Sequence, residues 1–518
     1  MVLGIELGST RIKSVLTDEG GNVIASGAFD WENKLVDGIW TYELDLVWEG
    51  VQKSYASLKA NYEKQSGKKL TKLDAIGISA MMHGYLAFDK ADNLLAPFRT
   101  WRNTNTAKAA KILSSELDFN MPLRWSVSHY FESVLAKLEH VKDVDFLTTL
   151  AGYVHWKLTG EKVLGVCDAS GMFPVLDNKY DADRLAKFNK LLRAEGICHK
   201  KFEDMLPEIR VAGQPAGVLT EDGARLLDVS GELLPGVVFC APEGDAGTGM
   251  VATNSTAKNR GNVSAGTSAF VMIVLDAPLS KPYPQIDIIN TPSGEPVAMI
   301  HVANCTSEIN AWANMFGEVL AAFGVKADMG ELFTKLFLCA NDSDADVGGL
   351  TTYNFLSGEH LWDLEEGRPM VVRQPEGKLT LSAFMQAQIY AAVASLREGM
   401  DILDGENITL KEIFGHGGFF KTADIGQRAM SAALRAPITV MENAGEGGAW
   451  GIALLALYCV ENSKKAQTLE AFLDNIFASA KKSTKSADEN DMQKFESFMS
   501  RYKAGIEAQR KAVETIKH

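Results

Sequence analysis

Residues 2–27, VLGIELGSTRIKSVLTDEGGNVIASG, decide the fold. Val2 to Leu7 is a short apolar run that ends in a small-residue turn, Gly8-Ser9-Thr10. The stretch from Arg11 to Gly27 then alternates like a second strand and breaks at Asp18-Glu19-Gly20-Gly21. Two early strands joined by such a turn are an antiparallel start, whereas a Rossmann or Walker-type chain opens with a strand followed by a helix.

Outward from this hairpin, Leu46 to Tyr62 carries helical periodicity, and LDAIGISAMMHGYLAFD (73–89) reads as strand, turn and strand. Residues 106–195 read as largely helical, with a turn at Leu158 to Gly160. A buried strand, Val237 to Ala241, leads into an acidic Gly-rich turn. A second Gly/Ser/Thr turn follows at Ala265-Gly266-Thr267-Ser268 and echoes Leu7-Gly8-Ser9-Thr10. The echo predicts two domains of related architecture that divide near Ala252 to Lys258. Further on, 342–368 reads as a long Gly-punctuated loop and Leu381 to Leu403 as a helix. Residues 413–458 read as strand, Gly turn, helix, strand, Gly turn and helix. From Ala480 onward a charged helical stretch is expected to pack on the surface.

At 518 residues the chain exceeds one ordinary core, so two or more domains are expected. Its 45 glycines against 15 prolines suit an α/β enzyme with tight loops close to a ligand. A net charge of −14 repels phosphate backbones, so nucleic acid is not the expected partner. An anionic substrate would need local devices: backbone N–H groups, helix N-termini, a lysine and a metal. The six cysteines lie far apart and suggest buried thiols in a reducing compartment rather than zinc ligands. With no signal-like leader and no long apolar run, the expected setting is the cytoplasm, with no membrane partner.

Three features suit phosphoryl transfer. Gly8-Ser9-Thr10, with Lys13 beyond, places hydroxyls and N–H groups at a turn, although an ordinary hairpin would look the same. Asp245 follows Gly244 after a buried strand, where it suits a proton acceptor or equally a turn cap. Glu6 is an acid inside an apolar strand, so it must be salt-bridged or near a metal.

In order along the chain, these features and others resemble the FGGY carbohydrate kinases, the actin-like family that includes xylulokinase, ribulokinase, gluconokinase and glycerol kinase. The resemblance runs from Val2 to Tyr458. GIELGSTRIKSVLTD resembles the first phosphate loop, IGISAMMHGYLAFD the segment with a Met-His-Gly triplet, and LTGEKVLGVCDASGMF the LTG…TDxSxAS stretch. LPEIRVAGQPAGVLT is similar to the lead-in to the catalytic strand, EGDAGTG to the catalytic Asp loop and SAGTSAF to the second phosphate loop. YNFLSGEHLWDLEEG is similar to the YLSGER…D…ARG loop, and 415–456 to the adenine-side signature.

The resemblance implies an α/β fold of two actin-like (ribonuclease H-like) domains around an interdomain active-site cleft. Residues 1–251 would bind the sugar and carry phosphate loop 1 and the catalytic Asp. Residues 252–518 would bind the nucleotide and end in a helical extension. It further implies ATP and Mg²⁺, a small-molecule sugar, Asp245 as general base, and Glu6 and Asp245 as metal ligands. Gly8, Ser9, Thr10, Lys13, Gly266, Thr267, Gly417 and Gly418 would hold the nucleotide. Met82, His83, Trp101, Arg102 and Asp245 would line the sugar. A homodimer is left open as the assembly.

The departures bear on the substrate. Glu6 stands where the family usually has Asp. WSVSHYFESVLAKLEHV (125–141) replaces the Pro-Lys-x-x-Trp element. Met82-His83 resembles D-xylulose kinases, while Trp101-Arg102-Asn103-Thr104-Asn105-Thr106 leans toward the L-ribulose pattern. D-xylulose is the first expectation and L-ribulose the second. Gluconate, glycerol, a non-catalytic sugar or nucleotide sensor, and an actin- or Hsp70-like ATPase are the alternatives.

Overall fold

The computed structural model describes residues 1–197, 199–342, 347–422, 424–441 and 447–517. Val2–Leu7 pairs antiparallel with Arg11–Thr17, Leu7 opposite Ile12, and Val23–Asp30 extends the meander. On its other side Val2–Leu7 lies parallel to Ala75–Ala80, and Val238–Cys240 and Glu243–Gly244 lie parallel to Ala75–Ala80 in turn. These parallel strands run straight into Gly8, Met81 and Asp245, so the three turns share one sheet edge. That is the edge where α/β sheets bind ligands. Leu3, Ile5, Leu7, Ile76 and Ile78 are fully buried, each side chain contributing roughly 1.5–3 kcal/mol.

The second sheet repeats the plan. Arg260–Ala265 and Ala269–Val274 form an antiparallel hairpin around Gly266-Thr267-Ser268. Arg260–Ala265 lies parallel to Glu412–His416, which lies parallel to Ile438–Met441. Pro296–Val302 and Asp287–Asn290 extend the other side. The echo between the two Gly/Ser/Thr turns is therefore one of geometry, since each follows a parallel strand and starts an antiparallel one.

The helix Gly447–Lys464, from the second half of the chain, returns to the first sheet. Two glycines make this approach feasible. A Cβ on Gly4 would lie 2.2 Å from the Ala449 carbonyl oxygen, and one on Gly77 2.7 Å from the Ile452 side chain. The same helix crosses Asp245–Ala252 so closely that a Cβ on Gly451 would lie 2.0 Å from the Thr248 carbonyl oxygen. Among the described residues no helix is long and apolar enough to cross a membrane.

Several segments differ from the sequence expectation. Within 106–195, Phe146–Thr148 is a strand paired with Leu86–Phe88. In the expected loop 342–368, Leu350–Tyr353 pairs with Met370–Arg373, the β-branched Thr351 and Thr352 suiting a pleated surface. The C-terminal stretch is more than a surface helix. Lys482–Lys485 closes the second sheet against Ile438–Met441, and the helix Glu489–Ala504 buries Phe495, Phe498, Met499 and Tyr502 in the second core. The Gly turn expected before Gly447 falls on 442–446, which with Cys198 lies outside the described residues.

Candidate active site

Asp245 begins the helix Asp245–Ala252, just beyond the parallel edge. Its Oδ1 accepts the Met82 backbone N–H at 3.0 Å, so the Met-His-Gly turn holds the carboxylate directly. Asp245 is open to solvent on one side while protein crowds it on the others, and that burial pushes its pKa up. The N–H groups of Met82, Ala246 and Asp245 itself oppose the rise.

His83 is a non-glycine residue with φ of 71°, a conformation that surrounding structure must enforce. Its ring stacks on Trp125 at 6.2 Å between centroids, and Nδ1–H donates to the Gly171 carbonyl at 3.3 Å. Burial lowers its pKa well below the usual value, with Arg124 adding to the effect, so the imidazole is neutral and keeps Nε2 as an acceptor. A Cβ on Gly171 would lie 2.7 Å from His83 Nδ1, so only glycine admits the ring.

Glu6, at the end of Val2–Leu7, reaches a second helix start. Its Oε2 accepts the Ala449 N–H at 3.1 Å, and a Cβ on Gly448 would lie 2.3 Å from its Oε1. Its pKa is pushed up to about 7, by burial first and by Asp245 second, while the Ala449 N–H and Lys13 pull it down. Lys13 is the cross-strand partner of Glu6. Beside them Ser79 Oγ and Thr248 Oγ1 are 3.0 Å apart. Two carboxylates near two helix N-termini suit a hard cation and an anion together.

The Gly8–Thr10 turn is braced from outside. Trp31 Nε1 donates to the Gly8 carbonyl at 2.7 Å and the Tyr42 hydroxyl to the Ser9 carbonyl at 2.6 Å. Trp101 Nε1 donates to Ser9 Oγ at 3.1 Å. Trp101 thus sits against the Gly8–Thr10 turn, and the Arg102 guanidinium lies 3.7 Å over the Trp40 ring. Thr10 is exposed.

Gly266, Thr267, Gly417 and Gly418 gather at the edge of the second sheet. Gly417 has φ of 106° and ψ of 177°, and its Cβ would lie 2.3 Å from the Ala265 carbonyl oxygen, so its turn presses on the Gly266 turn. Thr306 donates through both N–H and Oγ1 to the Gly266 carbonyl, at 3.0 and 2.7 Å. Thr267 is exposed and Gly418 has open space around its Cα. The sequence-predicted residues thus assemble as two groups, one at each sheet edge. Thr248, Ser79, Gly448, Trp31 and Tyr42 were not among them. Gly448 alone carried a signal, its place in the Gly-rich run before Trp450.

Two lobes with matching phosphate-type turns, and an acid at a helix start beside a sugar-type turn, define a phosphotransferase of actin-like architecture. The model of the FGGY family of carbohydrate kinases, N-terminal domain, matches residues 1–247, and that of the C-terminal domain matches 261–460. The chain belongs to the FGGY family of carbohydrate kinases and is an ATP-dependent sugar kinase. It is 21% identical over 429 residues to the xylulose kinase of Staphylococcus xylosus, covering 80% of this chain and 82% of that protein. A ligand-bound xylulose kinase structure from Lactobacillus acidophilus superposes with a TM-score of 0.78 at 17% identity, covering 100% of this chain and 99% of the other. A gluconate kinase structure from Lactobacillus acidophilus gives the same TM-score at 18% identity, covering 98% of this chain and 99% of the other. Likeness at these identities establishes the fold.

Proposed function

We propose that the protein phosphorylates a hydroxyl of a pentulose, D-xylulose first and L-ribulose second, with Asp245 as the general base. The observation that carries this reading is the 3.0 Å hydrogen bond from Met82 N–H to Asp245, which ties the ketose-type turn to the base. The curated relative named xylulose kinase supports the choice of sugar. In the reaction the sugar hydroxyl attacks the γ-phosphorus, its proton passes to Asp245, and ADP leaves. A raised pKa suits Asp245 to that task. His83, neutral, accepts a hydrogen bond from a sugar hydroxyl at Nε2 and orients the ketose.

Gly8, Ser9, Thr10 and Lys13 from the first sheet, with Gly266 and Thr267 from the second, hold the phosphates. Gly417 and Gly418 back the nucleoside. Glu6 and Asp245 fit Mg²⁺, and among the described residues no group of three or more His, Cys, Asp or Glu forms a closed metal cage. A bound Mg²⁺ would neutralise phosphate charge, with phosphate and water completing its shell. The acting species is cytoplasmic and takes only small molecules, with a homodimer as the assembly to test.

A coupled ADP assay across D-xylulose, L-ribulose, D-ribulose, L-xylulose, glycerol and gluconate tests the reading. Turnover that depends on a pentulose supports it, and turnover only with gluconate or glycerol, or with no sugar at all, refutes it. Asp245→Asn should lower kcat by about 10²–10⁴-fold while sparing ATP binding. A near-normal rate would remove Asp245 as base.

A further inference from the structure

The second sheet's edge strand, Asp287–Asn290, touches the two first-lobe segments that hold His83. At one end Asn120 Nδ2 donates to Asp287 Oδ1 at 3.0 Å and to the Ile286 carbonyl at 3.0 Å, and Arg124 pairs with Asp287 Oδ2. Arg124 leads directly into Trp125, on which His83 stacks, and the Arg124 carbonyl accepts the Gly84 N–H at 3.4 Å. At the other end the Asn290 N–H donates to Ser170 Oγ at 3.0 Å, next to Gly171, whose carbonyl accepts His83 Nδ1–H. Both side chains of the ion pair are shielded, Asp287 at 15% and Arg124 at 26% exposure, so solvent screens the pair only in part.

We propose that Asp287 is a positioning residue for the sugar, acting from the second lobe through Asn120 and Arg124 to fix the strained His83-Gly84 turn. The inference rests on the reading that His83 lines the sugar. His83 is held in its positive-φ conformation by neighbours on both sides, and one of those neighbours, the segment 120–125, is itself anchored at Asp287. Removing the anchor frees the segment without touching the phosphate turns. The cost therefore falls on sugar binding rather than on nucleotide binding.

Asp287→Asn, isosteric and uncharged, should raise KM for the sugar by roughly five- to tenfold, the low end of ordinary coupling between sites. KM for ATP should stay near wild type, with any fall in melting temperature modest. The charge-reversed pair Arg124→Asp with Asp287→Arg should recover at least half of that loss on a logarithmic scale. Equal rises in both KM values with a lowered melting temperature would show a merely structural role and overturn the proposal, as would an unchanged sugar KM. A second readout needs no substrate. In the ligand-free protein the His83 ring NMR resonance should move in Asp287→Asn while that of His155, buried elsewhere against the Ala216 carbonyl, stays in place. An unmoved His83 resonance overturns the proposal even if no sugar has been found, whereas wild-type protein inert to every sugar with a moved His83 resonance refutes only the substrate reading.

Discussion

Replacing Asp168 by asparagine should take away a large part of the protein's loss of stability between pH 5 and pH 8. Asp168 is fully buried behind the sheet edge that carries Asp245, and a Cβ on Gly244 would lie 3.2 Å from its Oδ1. Its Oδ2 accepts the Thr149 hydroxyl at 2.5 Å, while Oδ1 has no hydrogen-bond partner among the described residues. Burial raises the pKa from an ordinary 3.8 to about 7, Asp245 adding to the rise against the Thr149 bond. The folded state therefore binds this proton more tightly than the unfolded chain. Its contribution to stability is fully present below about pH 4 and is lost as pH rises toward 7. Three units at about 1.4 kcal/mol each give a total cost of ~4 kcal/mol at pH 8. At pH 5 only ~1.5 kcal/mol of that has been lost, so the fall between the two is ~2.5 kcal/mol. Asparagine carries no titrating proton, and any fixed offset from its amide cancels in the pH difference. Urea unfolding of both proteins at pH 5 and pH 8, followed by tryptophan fluorescence, should show the shallower fall in Asp168→Asn. Buried Glu243 and Glu359 leave a residual slope in both, since their pKa values are raised as well. Parallel falls in wild type and variant would refute the claim that Asp168 is held as the neutral acid.

Gly417→Ala should destabilise by about 2–4 kcal/mol, because φ of 106° with ψ of 177° is a glycine-only conformation and the new Cβ meets the Ala265 carbonyl oxygen at 2.3 Å. Gly418→Ala, which enters open space, should unfold at the wild-type urea midpoint while raising KM for ATP; a shared stability loss would argue against the Gly417 contact as the cause. Trp101→Phe removes the 3.1 Å bond to Ser9 Oγ, worth about 0.5–1.5 kcal/mol, and should raise KM for ATP by about two- to tenfold. Steady-state kinetics showing a rise for the sugar alone would refute a nucleotide-side role for the Trp101–Ser9 bond and favour Trp101 lining the sugar.

The elements legible in the sequence are those whose own side chains carry the pattern. The apolar run Val2–Leu7 and the alternating Arg11–Thr17 pair as expected, and the helices Leu44–Ser66 and Leu381–Gly405 contain the periodic stretches read from the sequence. Lys482–Lys485, KSTK, was not legible because none of its side chains is apolar. It is a strand only because Ile438–Met441 offers it a ladder. The site divides in the same way. Local turns such as Gly8–Thr10, Met82-His83 and Gly417-Gly418 carry their residue types in sequence. The braces on them do not, since Trp31, Tyr42 and Trp101 act 23, 33 and 92 residues away from the turn they hold.

Glu6 shows what the sequence can pose and only the fold can answer. An acid in an apolar strand demanded a salt bridge or a metal, and Lys13 across the hairpin supplies a charge that lowers its pKa. The Ala449 N–H, 443 residues away, supplies the hydrogen bond. That bond exists because Gly4, Gly77 and Gly451 let the helix Gly447–Lys464 lie directly on the first sheet and on Asp245–Ala252. The length of the glutamate and the glycine at 448 then belong together, since a Cβ there would lie 2.3 Å from Glu6 Oε1. The glutamate side chain spans from the strand end to the helix start. Glu6 thus joins the strand that leads into the Gly8–Thr10 turn to the helix that closes the second half of the chain onto it.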